Sequence, residues 1–184
     1  AVQSDPRYAG GDYYDAADGD GPHRGLAVAR MAAQVTYRSD EVFTQRFGRT
    51  VLNQLAFSLD PTFDIEGYLD YHGLTLVRRF DANSYVYLNR AMDLHDLGRG
   101  RGGTARALER VRCPSVVAAV RSDGLYPPHQ QRQLHDGLCA AGAESEWLDI
   151  DSPHGHDRFL IETDQLAPVV SSLLERSLEE NGNG

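Results

Sequence analysis

The sequence predicts an α/β protein, in which a long helical stretch precedes a strand–loop–helix pattern that occurs twice. Three observations carry this. Apolar residues across 25–110 recur at helical rather than alternating spacing. Cys113-Pro-Ser-Val-Val-Ala-Ala-Val120 is a short apolar run opened by a proline, as in a buried strand of a parallel sheet. Ser145-Glu-Trp-Leu-Asp-Ile150 follows after a helix-length interval, which a parallel crossover requires. At 184 residues the chain suits one domain, or one with a small insertion, and its 41% hydrophobic content can fill a core.

The elements follow in order. Residues 1–24 read as an irregular connecting segment, broken by Asp5-Pro6, Gly10-Gly11 and Asp18-Gly-Asp-Gly-Pro22. From Gly25, Leu26, Ala29, Ala33 and Tyr37 share one helical face. Ser39 then caps a second helix, with Asp40 and Glu41 in its first turn and Gly48 at its end. Residues 51–61 fit neither period, and Pro61 resets the chain. Phe63, Ile65, Tyr68, Leu69, His72, Leu76 and Phe80 form another helical stripe, with an expected interruption at Gly73. Asp81 or Asn83 can cap the next helix, where Tyr85, Leu88 and Met92 share a face. Gly98-Arg-Gly-Arg-Gly-Gly103 reads as a mobile loop. Region 25–110 is thus helical, and 111–184 holds two strands, a helix over about 128–141 and a final helix from Phe159 to about Glu180. The closing Asn-Gly-Asn-Gly reads as frayed.

Composition removes several functions. All 18 basic residues are arginine, which excludes a phosphate-loop lysine, a Schiff-base lysine and a Ser-Lys dyad. A net charge of −9 argues against general nucleic-acid binding. The charge is uneven: residues 1–20 carry −4, residues 21–112 carry +3 and residues 113–184 carry −8. The basic middle suits an anionic small ligand or simply a solvated helical surface. Cys113 and Cys139 are too few for a disulfide scaffold or a zinc site, the histidines lack ligand spacing, and no metal is expected. No apolar run is long enough to span a bilayer, and the acidic start does not read as a signal peptide.

The chemistry concentrates in two loops. Asp123 follows the first strand and His156 the second, so a parallel sheet delivers both to one edge. A carboxylate beside an imidazole there makes the acid–histidine half of a Ser-His-Asp triad, in the chain order found in α/β-hydrolases. The plainer alternative leaves Asp123 as a turn residue and His156 as a helix cap. No G-x-S-x-G occurs. Ser122 and Ser152 lie within the acid and histidine loops, so neither is an elbow nucleophile.

Five segments carry a specific resemblance: Asp5-Pro-Arg-Tyr-Ala-Gly-Gly-Asp-Tyr-Tyr14; Gly25-Leu-Ala-Val-Ala-Arg30 with Thr36-Tyr-Arg-Ser39; Phe80-Asp-Ala-Asn-Ser-Tyr85 with Ala91-Met-Asp-Leu-His-Asp-Leu-Gly98; Ser122-Asp-Gly-Leu-Tyr-Pro-Pro128; and Asp151-Ser-Pro-His-Gly-His-Asp157. In order and together they resemble the homoserine O-acetyltransferases, from about residue 4 to 165. The resemblance implies the C-terminal part of an α/β-hydrolase fold with an inserted helical lid, and a nucleophile serine upstream of the matched region. It implies transfer of an acetyl group from acetyl-CoA to the hydroxyl of L-homoserine through an acyl-serine, in methionine biosynthesis in the cytoplasm, with no bound cofactor.

By position, Asp123 matches the triad acid and His156 the base. Asp157 matches the residue that holds the substrate amino group and Arg30 the one that binds its carboxylate, with Tyr37 nearby. Without the resemblance, Arg30 suits a surface ion pair and Asp157 a helix N-terminal charge. The lid implies a homodimer. Serine or another hydroxyl acceptor, a succinyl donor and an esterase-type hydrolase remain as alternatives. So do an inactive fragment and one subunit of a split enzyme whose partner polypeptide carries the serine.

Overall fold

The computed structural model describes residues 1–17, 19–52, 59–60 and 63–182. Pro61 and the last two residues, and with them the expected reset and half of the tail expected to fray, lie outside the described residues; the other half, Asn181 and Gly182, is helical. The chain divides into two compact units: Ala1–Thr36 with Phe43–His95, and Tyr37–Val42 with Asp96–Gly184.

The first unit is helical. A 3-10 turn, Pro6–Gly11, opens within the segment expected to be irregular, with Asp5 accepting a hydrogen bond from the Arg7 amide. The other Asp5 oxygen accepts from the Gly25 amide at 2.7 Å, satisfying a first-turn donor of α1 (His23–Tyr37). A Cβ at Gly25 would sit 2.6 Å from the Ala1 carbonyl oxygen, so this glycine admits the N-terminal segment against the helix. Leu26, buried to 1% exposure, anchors a core with Val2, Leu76 and Ala82.

α2 (Asp40–Arg46) starts where expected, with the Val42 amide donating to Ser39 Oγ at 3.2 Å. α3 (Asp64–Val77) runs through Gly73 without the interruption the sequence suggested. A Cβ there would lie 3.0 Å from Met31 Cε and 3.1 Å from the Ala27 carbonyl oxygen. The glycine marks a close helix–helix approach rather than a break. α4 (Ala82–Asp93) is capped by Asp81, which accepts from the Ser84 amide at 2.7 Å. Tyr85 packs on the core, whereas Leu88 and Met92 stand exposed.

Asp81 also accepts from the hydroxyls of Tyr13 and Tyr14, tying residues 11–14 to the start of α4. Burial raises the Asp81 carboxyl, but the hydrogen bonds from Tyr13, Ser84 and Tyr14 outweigh it and hold the group below its ordinary value. Burial and the adjoining carboxylate push the Tyr13 phenol well above its ordinary range.

The second unit carries α5 (Thr104–Leu108) and then the sheet. β1 (Ser115–Val120) and β2 (Ser145–Ile150) pair in parallel, Ser115 against Ser145 through Val120 against Ile150. β1 begins two residues later than Cys113 because Pro114 has no amide to donate; the Ser115 amide bonds the Glu144 carbonyl. α6 (Pro128–Ala140) crosses between them. Leu108, Val117 and Leu138 pack together, and Trp147 joins them.

The single final helix expected over 159–180 is instead α7 (Arg158–Ile161) and α8 (Ala167–Gly182). Pro168 explains the division. Its ring would strike the carbonyl four residues back in a continuous helix, but it fits the first turn of a new one. Among the described residues no helix is long and apolar enough to cross a membrane, and no cluster of three potential metal ligands occurs.

Candidate active site

Both candidate loops leave the carboxyl ends of paired parallel strands. After β1 the chain turns sharply, with the Asp123 amide donating to the Val120 carbonyl at 3.0 Å. Asp123 is 8% exposed. Its Oδ1 accepts from the Leu125 and Tyr126 amides at 2.8 and 2.9 Å, which fixes the carboxylate plane. Oδ2 is then turned to His156, 3.0 Å from Nδ1. A carboxylate at Nδ1 keeps the proton on that nitrogen and leaves the Nε2 lone pair as a base. Among the described residues no hydrogen bond reaches Nε2.

His156 lies in a 3-10 turn, Gly155–Asp157, beyond β2. Tyr37, Tyr126 and Phe159 surround its ring at centroid distances of 5.8, 5.1 and 5.8 Å. A cavity of about 240 Å³ opens beside the pair, with Val120, Ile150, Phe159 and Leu166 in its wall. Ser122 Oγ donates to the Ser152 carbonyl at 2.5 Å and accepts from the Gly155 amide at 3.0 Å. Ser122 therefore laces the acid loop to the histidine loop, and Ser152 Oγ accepts from the His154 amide. Both serines are part of the scaffold.

Four of the expected site residues, Asp123, His156, Asp157 and Tyr37, come together in this unit. Arg30 belongs to the first unit, half-buried on α1. Sequence reasoning gave no role to two arginines that flank these residues. Arg38 stands with its Nε 3.1 Å from Asp157 Oδ2. Arg158 is fully buried between Glu162, at 2.9 Å, and Asp164, at 3.1 Å. Its position directly after His156-Asp157 was the one available signal.

No family model matches the chain. Homoserine O-acetyltransferase of Carboxydothermus hydrogenoformans is 46% identical over 178 residues, covering 95% of this chain and 46% of the relative. The enzyme of that name from Thermobifida fusca is 47% identical over 174 residues, covering 95% and 45%. The chain is a homologue of the homoserine O-acetyltransferases. It spans about half the length of the curated relatives it matches.

Solved structures agree on the fold, which is part of an α/β-hydrolase. The crystal structure of esterase E22 superposes with a TM-score of 0.80 at 19% identity, over 94% of this chain and 47% of the other. Homoserine O-acetyltransferase from Bacillus anthracis gives 0.72 at 23% identity, over 85% and 41%. As expected of open parallel sheets, the Asp123–His156 pair of this homoserine O-acetyltransferase homologue lies beyond the strand carboxyl ends.

Proposed function

We propose that this chain supplies the acid and base of a serine-dependent acyltransferase that acetylates L-homoserine. The observation that carries the reading is the Asp123–His156 contact at the ends of adjacent parallel strands, in a chain 46% identical to a named homoserine O-acetyltransferase. The chain corresponds to the C-terminal part of such an enzyme. The serine comes from sequence outside these 184 residues, within the same protein or on a partner polypeptide.

In this reading His156 Nε2 takes the serine proton as the hydroxyl attacks the thioester of acetyl-CoA. The CoA thiolate leaves and takes a proton from the imidazolium. The homoserine hydroxyl then gives its proton to Nε2 and attacks the acyl-serine, and the serine is released with the proton returned. Asp123 stabilises each imidazolium through Nδ1. Asp157 takes the acceptor's ammonium, with Tyr37 beside it, and Arg30 takes its carboxylate. The helical region 25–110 forms the lid and the homodimer contact, and the reaction is cytoplasmic.

The test follows thiol release from acetyl-CoA by the natural protein containing this sequence, with and without L-homoserine, with mass spectrometry of protein and product. The expected result is acceptor-dependent release, O-acetylhomoserine, and one acetyl group on a serine-bearing polypeptide. Release at the same rate without acceptor would make the protein a hydrolase and overturn the proposal.

A further inference from the structure

Three consecutive residues of the second unit, Tyr37 and the two that follow α1, each touch the histidine loop. The Tyr37 ring lies 5.8 Å from that of His156. Ser39 Oγ donates to the Pro153 carbonyl. Arg38 Nε faces Asp157 Oδ2 at 3.1 Å, with the two side chains only 21% and 18% exposed. That N–H is not aligned into a hydrogen bond, so the contact is chiefly ionic, and among the described residues no hydrogen bond reaches Asp157 Oδ1.

We propose that Arg38 is a specificity-determining positioning residue: by holding Asp157 Oδ2 it fixes Oδ1 to receive the α-ammonium group of the acceptor. This rests on the acyl-transfer reading above, in which Asp157 takes that group. The end torsion of an aspartate is broad and easily turned, and a guanidinium at one oxygen removes that freedom. The guanidinium also offsets much of the carboxylate charge. The ammonium is then held by a directed hydrogen bond more than by general attraction, which makes the grip depend on where the amino group sits. Such a site distinguishes an amino-acid acceptor from an alcohol of the same length without the amino group.

The experiment compares R38Q and R38K with the unsubstituted natural protein, using L-homoserine and 4-hydroxybutyrate as acceptors. R38Q is expected to raise the KM for L-homoserine about tenfold, with kcat changed by less than about threefold and the acetyl-CoA KM unmoved. Selectivity for L-homoserine over 4-hydroxybutyrate should fall by the same factor. R38K, which keeps the charge without the planar fork, should lie between the two. An R38Q KM within about twofold of the original, or a parallel fall of every parameter, would overturn the role. If R38Q does not fold, unchanged selectivity in R38K does so instead. Failure of the unsubstituted protein to respond to L-homoserine would sink the acyl-transfer reading and this role with it. A normal response that Arg38 substitution leaves intact counts against Arg38 alone.

Discussion

Replacing Gly155 with alanine probes how tightly the histidine loop is seated. Gly155 sits at φ +65°, where a Cβ costs about 1–2 kcal/mol. The added carbon would lie 2.9 Å from the Tyr37 carbonyl oxygen, 3.0 Å from the Ser39 amide nitrogen and 3.1 Å from the Arg38 carbonyl carbon. All three are backbone atoms, so none can swing aside as a side-chain end can. Ordinary contact begins at about 3.4 Å, so residues 37–39 must retreat by several tenths of an ångström. Overpacking of that kind costs about 1–3 kcal/mol. Together the two effects amount to about 2–5 kcal/mol, or a fall in melting midpoint of roughly 5–15 °C for a chain of this size.

Gly142→Ala separates the two causes. Gly142 is at φ +81°, and an added Cβ would meet nothing within 4 Å, so only the backbone cost applies. Gly124→Ala, with neither strain nor neighbours, should leave stability nearly unchanged. Thermal melts of the three variants, with the His156 ring signals followed by NMR, make the comparison. If Gly155→Ala melts with Gly142→Ala, the close seating of 37–39 on the loop is refuted.

Asp123→Asn should lower acyl transfer about 10⁴-fold with little loss of fold. The Leu125 and Tyr126 amides keep the remaining oxygen at their side, so the new NH₂ faces Nδ1 and drives the histidine proton to Nε2; a near-normal rate would refute the base assignment. Asp81 predicts an acid limb to stability. Its carboxyl is held below its unfolded value, so its contribution is present above about pH 4 and lost as pH falls through the folded value. The stability gap between wild type and Asp81→Asn should therefore narrow between pH 7 and pH 3, and a constant gap in urea melts would contradict it. Arg158→Met should cost under about 1.5 kcal/mol, because Glu162 and the 78%-exposed Asp164 can return to water, whereas Arg158→Ala leaves a void worth about 3 kcal/mol or more. Equal melting of the two would show that charge, not volume, is what Arg158 supplies.

Much of this was legible in the sequence because it is local. β2 falls on Ser145–Ile150 as read, Ser39 and Asp81 cap the helices they precede, and the loops carrying Asp123 and His156 stand at strand ends. What was not legible depends on partners distant in sequence. Periodicity treats Gly73 as a weak helix position and cannot see Ala27 and Met31 against it. Ser122 looked like a residue to dismiss, because only the folded loops bring Ser152 and Gly155 to its hydroxyl. Arg38 lay within the quoted Thr36-Tyr-Arg-Ser39 segment without a role of its own, and its placement beside Asp157 is what gives it one. The broken final helix is the exception: Pro168 was visible, and the apolar spacing around it outweighed a reliable breaker.

Under the proposed acyl transfer, the Ser122 bridge has a bearing on how water would be kept from an acylated serine. One hydroxyl fastens the turn carrying Asp123 to the turn carrying His156. The Asp123–His156 contact is therefore held by the loops themselves, and on the acyl-transfer reading proposed above it precedes the arrival of an acceptor. On that same proposed reading, fidelity toward an amino-acid hydroxyl is kinetic: the acceptor has to reach Nε2 sooner, and dwell there longer, than a solvent molecule does.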